Sequence, residues 1–262
     1  SAKMADLLAP HGYVLGDSVD DADLVVLNTC HIREKAAEKL YSELGRLRKI
    51  KTRRQSVGLD MHIAVAGCVA QAQGQEILSR APYTDLVVGP QSYQQLPELL
   101  AQVEKAGTRP AAVNFPAMSK FDGLVDASQS GPAAFLTIQE GCDKFCHFCV
   151  VPYTRGPEFS RSFDEIINEA KQLLKNGSKE ITLLGQNVNA YEYKNQNNTY
   201  RLSDLIFKLN ELKELKRIRY TTSHPRDVTK DLIKAHKYCE KLMPILHLPV
   251  QSGSSRILKA MN

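Results

Sequence analysis

Three cysteines, Cys142, Cys146 and Cys149, fall within eight residues in the spacing C-x₃-C-x₂-C. Thiols packed this tightly cannot all pair as disulfides, and no fourth cysteine lies nearby. Thiolates are soft ligands that select iron–sulfur clusters, zinc or copper(I). Electron-transfer ferredoxins give each cluster four cysteines. Three leave one iron of a four-iron cubane without a protein ligand, which suits a catalytic cluster that binds a further group there. A structural zinc with these cysteines and His147 is the alternative, since three Cys and one His is a known zinc set. Zinc sites favour paired C-x₂-C knuckles, however, and His147 directly follows Cys146, too close to complete a tetrahedron easily.

The chain that must position this loop has 262 residues, 43% apolar and 24% charged, enough for one large or two ordinary domains. It has no apolar run long enough to span a bilayer, and the start, SAKMADLLAPHG, lacks the apolar core of a signal peptide. A reducing, cytoplasmic location without membrane association is expected, so the six cysteines read as ligands or buried thiols. The net charge of +5 permits a nucleic-acid partner without requiring one. Ser1 in place of Met, and an end at Met261-Asn262 in mid-element, lead us to expect a fragment.

Helix and strand patterns alternate through the first half. A short helix runs from Ser1 to Gly12, and a strand is expected near Tyr13 to Leu15. A buried strand over Leu24 to Cys30 ends in a thiol. A helix from about Arg33 to Lys51 places Ala37, Leu40, Leu44 and Leu47 on one side. A strand from Met61 leads to Cys68, then a helix to about Ala81, a strand from Asp85 to Val88 and a helix from Tyr93 to Lys105. Such alternation means βαβ units and a parallel sheet, with ligands beyond the carboxyl ends of the strands. Cys30 and Cys68 would both stand at that edge, as metal ligands or as two small buried thiols.

A strand near Ala111 to Phe115 closes the first domain, and the Pro-containing, polar stretch from Ala106 to Gly131 reads as a linker. The boundary is placed near Gln129, giving domains 1–128 and 129–262. In the second, strands are expected at Ala133 to Gln139, Glu180 to Leu184, Arg217 to Thr222 and Leu246 to Val250. Helices are expected at Phe163 to Lys175, Leu202 to Glu214, Asp227 to Cys239 and from Ser254. Four βα repeats are consistent with a (β/α) barrel whose active site lies at the strand carboxyl ends. Each strand there ends in small or polar residues: the cysteine loop, Gly185-Gln186-Asn187, Ser223-His224, and Gln251-Ser252-Gly253. A glycine at 185 allows close backbone approach to a ligand, although Gly, Gln and Asn also make ordinary turns. His224 before Pro225 reads as a rim group or a turn residue.

Arg155 and Arg161 flank the cysteine loop and offer bidentate forks for a carboxylate or phosphate, or for a nearby acid such as Glu158. Arg46, Arg48, Lys49, Lys51, Arg53 and Arg54 form a basic run at the end of the long helix. It reads as a phosphate-binding stripe or, slightly favoured, as a solvated face that complements the helix dipole. Cys239 has no motif and reads as a core thiol.

The C-x₃-C-x₂-C spacing with an aromatic, Phe148, before the last cysteine resembles the radical S-adenosylmethionine (SAM) signature. The longer stretch EGCDKFCHFCVVPYTRGPEFSR is similar to the methylthiotransferases of that superfamily, and within them to the branch acting on N6-isopentenyladenosine in tRNA. LNTCHIREKAAEK and VAGCVAQ resemble the same family's N-terminal domain, so the likeness runs through most of the chain. The resemblance implies a parallel-sheet α/β domain followed by a truncated radical SAM barrel. It implies two [4Fe-4S] clusters and SAM as cofactors. Cys142, Cys146 and Cys149 would hold the SAM-binding cluster. Phe148, Arg155, Gly185, Gln186, Asn187, Ser223 and Gln251 would line the SAM site. Cys30 and Cys68 would hold an auxiliary cluster whose third family cysteine, on a strand preceding Ser1, is missing here. It further implies reductive cleavage of SAM, hydrogen abstraction from a modified adenosine at position 37 of tRNA and sulfur insertion at carbon 2. The target base would be unstacked to reach the pocket. The expected partners are tRNA and an electron donor such as a flavodoxin or ferredoxin, with the chain a monomer. Related branches acting on threonylcarbamoyl-adenosine or on a ribosomal-protein aspartate are the nearest alternatives. An iron–sulfur electron carrier or a zinc-binding protein is the non-enzyme alternative.

Overall fold

In the computed structural model, which describes residues 2–30, 35–114 and 131–261, the apolar runs of the first half form a four-stranded parallel sheet. Its strands are β1 (Leu24–Thr29), β2 (His62–Gly67), β3 (Leu86–Val88) and β4 (Ala111–Ala112), side by side in chain order. The helices are α1 (Ala2–Leu8), α2 (Lys35–Ser56), α3 (Cys68–Gln73), α4 (Gln75–Arg80) and α5 (Leu96–Ala106). Alternation along β2 explains the layering. Ile63 and Val65 pack with Leu40, Leu44, Leu47 and Ile50 of α2, whereas Ala64 and Ala66 share a second cluster with Leu96, Leu99, Leu100 and Val103 of α5. Leu44 and Leu47 are fully buried, and each contributes about 1.5–3 kcal/mol of transfer free energy.

The second half forms a three-stranded parallel sheet in the order β11-β8-β5. Here β5 is Ala133–Thr137, β8 is Glu180–Leu184 and β11 is Arg217–Tyr220. Two short antiparallel pairs accompany it: β6 (Gln139–Glu140) with β7 (Phe159–Ser160), and β9 (Glu192–Lys194) with β10 (Thr199–Arg201). The helices are α6 (Val151–Arg155), α7 (Phe163–Lys175), α8 (Leu202–Asn210), α9 (Lys230–Tyr238) and α10 (Ser255–Met261). On α7 the buried residues are Ile166, Ile167, Ala170, Leu173 and Leu174, the i, i+1, i+4, i+7, i+8 stripe of a helix laid on a sheet. The α9 start is capped by Thr229, whose hydroxyl accepts from Leu232 N–H at 3.2 Å.

By packing, the described residues fall into two units. One comprises 2–114 with Tyr153–Arg155, the other 131–152 with 156–261. The boundary expected near Gln129, and the helix start expected at Arg33, lie outside the described residues.

Several expectations are corrected. Tyr13 to Leu15 is not a strand: no neighbouring strand pairs with it, and Val14 and Leu15 are 91% and 88% exposed. β1 is half-buried rather than buried, because β2 covers only one of its edges. The helix expected through Ala81 breaks at Gly74 into α3 and α4. Leu246 to Val250 forms no strand. Its apolar side chains, including Leu246 and Val250, point outward, and β11 gains on its far side only a single bridge from Ile218 to Leu242. The expected four βα repeats are therefore three parallel strands and one bridge.

Candidate metal centre

The cysteine loop leaves β6 at Gly141 and runs to Val150 without helix or strand. Cys142 N–H donates to Gly156 O at 3.2 Å, and Cys149 N–H closes a turn on Cys146 O at 2.8 Å. His147 is tied to the end of α10: its N–H donates to Met261 O at 3.1 Å, and Nδ1 lies 2.6 Å from Ala260 O. All three thiols are free and partly exposed. Burial pushes the Cys142 thiol up to about 11, with Glu158, Cys149 and Cys146 pushing the same way against a hydrogen bond from the Lys144 backbone. The Cys146 and Cys149 side chains are thus within electrostatic reach of Cys142. Among the described residues no three His, Cys, Asp or Glu side chains converge on one ion position. The thiolates of a cubane each hold a different iron and need no such point. Phe145 and Phe148 are more than half exposed, giving the loop an apolar outer face.

A polar network stands beside the loop. Lys144 pairs with Asp227 at 2.9 Å. Asn187, 2% exposed, donates from Nδ2 to Asp227 Oδ2 at 2.7 Å and to Glu158 Oε1 at 3.3 Å. Burial pulls the Lys144 ammonium down, but its bond to Asp227 outweighs this and leaves it raised. Burial raises the Glu158 carboxyl. Asn187 Oδ1 and Ser223 Oγ are buried without a hydrogen-bond partner. Buried polar atoms are ordinarily satisfied, so these two, at the carboxyl ends of β8 and β11, are where a ligand's donors and acceptors would fit.

Backbone strain marks the same region. Phe145, Thr222 and Gln251 have φ of 48°, 61° and 64°. For a β-branched residue such as Thr222 this is a true outlier, and such strain gathers at ligand clamps and active sites. The Thr222 hydroxyl donates to Gly185 O at 2.6 Å.

Other expected site residues are placed differently. A Cβ on Gly185 would lie 2.6 Å from Gln139 Oε1, so the close approach there is to a side chain of the same unit. Gln186 Oε1 accepts from Gly141 N–H at 2.7 Å. Arg161 is buried, paired with Glu169 at 2.6 Å and bonded to Thr137 O at 2.8 Å, and so serves the core. His224 caps a turn through Nδ1, which accepts from Arg226 N–H at 3.2 Å, and burial lowers its imidazole. Cys239 is buried in the core, and burial raises its thiol. Sequence reasoning missed Gln139, Lys144 and Asp227. A charged residue between two cysteines of the triad was the available signal for Lys144, whereas nothing local marks the other two.

In the first unit, β1 and β2 run in register from Leu24–His62 to Thr29–Gly67. The next residues, Cys30 and Cys68, therefore follow at the same carboxyl edge, the first exposed and the second half-exposed. Arg155 donates from Nε to Cys68 Sγ at 3.3 Å, and Gln91 holds the Arg155 carbonyl at 3.0 Å. The basic run is largely paired: Arg46 with Glu43, Lys51 with Asp85, Arg53 with Asp20 and buried Arg54 with Asp23.

Residues 136–262 match the Radical SAM superfamily, and residues 1–89 match the "Uncharacterized protein family UPF0004". Residues 136–262 are a radical SAM domain. That domain contains the three-cysteine loop, the polar network, Asn187 Oδ1 and Ser223 Oγ. The whole chain is 56% identical to a "tRNA-2-methylthio-N(6)-dimethylallyladenosine synthase" of Ruegeria pomeroyi and 55% identical to the protein of that name in Rickettsia canadensis. It spans 59% of the length of each. Two solved structures of the radical SAM methyltransferase TsrM from Kitasatospora setae share the fold at 12% identity. One, with tryptophan and a SAM analogue, has a TM-score of 0.63 over 98% of this chain and 57% of its own. The other, with cobalamin and a [4Fe-4S] cluster, has 0.64 over 97% and 59%. The donor set here fits such a cluster: three soft, free thiols on one loop.

Proposed function

We propose that the protein is a methylthiotransferase that adds a methylthio group to carbon 2 of N6-isopentenyladenosine at position 37 of tRNA. The observation that carries this reading is 55–56% identity, across the whole of this chain, to relatives named for that activity. Cys142, Cys146 and Cys149 hold the SAM-binding [4Fe-4S] cluster, which when bound supplies the electron that cleaves SAM. Cys30 and Cys68 contribute to a second cluster. Asn187 Oδ1 and Ser223 Oγ meet polar groups of SAM, with Phe148, Gly185, Gln186 and Gln251 around them. Lys144 and Asp227 keep Asn187 oriented, because Asn187 Nδ2 is committed to Asp227 and only Oδ1 is left for a ligand. Arg155 donates from Nε to Cys68 Sγ, a thiol of the second site. The chain divides into an N-terminal domain, 1–128, and a radical SAM domain, 129–262. It works as a cytoplasmic monomer with a flavodoxin or ferredoxin as electron donor. Among the described residues no helix is long and apolar enough to cross a membrane.

Mass spectrometry of tRNA nucleosides from cells lacking the gene tests the substrate. The methylthio nucleoside should vanish and N6-isopentenyladenosine should accumulate. Unchanged levels of both would sink the assignment.

A further inference from the structure

The loop that carries the three thiols starts at Gly141, and two glutamine side chains grip that residue. Gln139, 1% exposed, donates from Nε2 to Gly141 O at 2.7 Å and to Glu140 O at 3.2 Å. Its Oε1 accepts from the backbone N–H of Gln186 at 2.9 Å and of Asn187 at 3.1 Å. Gln186 reaches back, and its Oε1 accepts from Gly141 N–H at 2.7 Å. Both polar groups of Gly141 are therefore fixed to side chains, one from the first residue of β6 and one from the segment just after β8. Gly141 has φ of 78°, and a Cβ there would strike the backbone at Pro157 O. At Gly185 a Cβ would strike Gln139 Oε1. A carboxylate at 139 would accept from Gln186 and Asn187 but could not donate to Gly141.

We propose that Gln139 and Gln186 are positioning residues. Their reciprocal clamp sets where Cys142 stands relative to Asn187, and so how SAM meets the three-thiol site. The inference rests on the reading that this triad holds a SAM-binding cluster. Cys142 directly follows Gly141, and the residues after it lie in neither helix nor strand as far as Val150. Together with the bond from Cys142 N–H to Gly156 O at 3.2 Å, the clamp fixes the backbone on either side of the Gly141–Cys142 peptide bond, from which the first thiol takes its position.

The test uses full-length protein with Gln186→Leu, which removes only the acceptor facing Gly141 N–H from a half-buried site, and Gln139→Glu, which removes the donor. In metal-free protein, amide exchange at Gly141 followed by NMR should be about tenfold faster in Gln186→Leu, with Ile181 and Leu183 of β8 unchanged. After anaerobic reconstitution, both variants should hold near-normal iron. Both should show an altered SAM-induced change in the electron paramagnetic resonance spectrum and an apparent SAM affinity about tenfold weaker. Gly141 exchange at the parent rate in Gln186→Leu, or a parent-like SAM response in both variants, overturns the clamp. If reconstituted parent protein ignores SAM, the proposed function fails instead, while the exchange measurement still decides the clamp.

Discussion

Cys142, Cys146 and Cys149 differ from Cys239 in what surrounds them, and that difference is measurable. The first three are free on an irregular, partly exposed loop, and the last is 4% exposed in a core. Cys239→Ala should lower stability by about 1 kcal/mol and leave iron content unchanged, whereas Cys146→Ala should remove the SAM-binding cluster with little change in melting temperature. Iron analysis and thermal denaturation on the same samples check both. Gln251 carries a second prediction. Its left-handed φ of 64° costs about 1 kcal/mol for a residue with a Cβ. Gln251→Gly should raise stability by that amount while weakening SAM binding, the trade-off expected of a strained site residue. A melting temperature that does not rise would contradict the strain argument. The triad is legible in the sequence because its cysteines are a few residues apart. Gln139 is not, because Gln186 and Asn187 lie 47 and 48 residues away and only folding joins them.

The α7 helix could be read directly, with the boundaries found, because its buried stripe repeats at the helical period. Leu173→Ala in that stripe should cost about 2–5 kcal/mol, measured by denaturant unfolding. The misread strand at Leu246 to Val250 shows the opposite case. A short apolar run gives no period, and whether it pairs depends on a neighbouring edge that the sequence does not display. The α9 helix adds a pH dependence. His236 Nε2 lies 2.6 Å from the Tyr220 hydroxyl, and burial lowers the imidazole below its ordinary value of 6.5. The unfolded chain then binds a proton at a pH where the folded chain does not. Stability from this group is complete above about 6.5 and falls as the pH drops from there through the lowered folded value. His236→Gln should flatten the acid limb of a stability-against-pH curve, and an unchanged limb would remove His236 as its cause.

Across the whole molecule the alternating patterns announce two α/β units, and the packing divides the described residues into two. The sheet of the first unit puts Cys30 and Cys68 at one edge through strict register, an outcome predictable from parallel topology alone. The basic run looked able to meet a phosphate backbone, yet Arg46, Lys51, Arg53 and Arg54 have acidic partners. All but the Arg46–Glu43 pair are made between distant segments, which is why the sequence shows the charge and hides its use. The central claim is that the three-thiol loop holds a four-iron cluster with one iron left for SAM. It is tested most directly by anaerobic reconstitution of full-length Cys30→Ala/Cys68→Ala protein, followed by iron and sulfide counting and electron paramagnetic resonance with and without SAM. The account predicts about four irons and four sulfides per chain and a reduced-cluster spectrum that changes when SAM is added. Zinc in place of iron, or an iron spectrum indifferent to SAM, would contradict it.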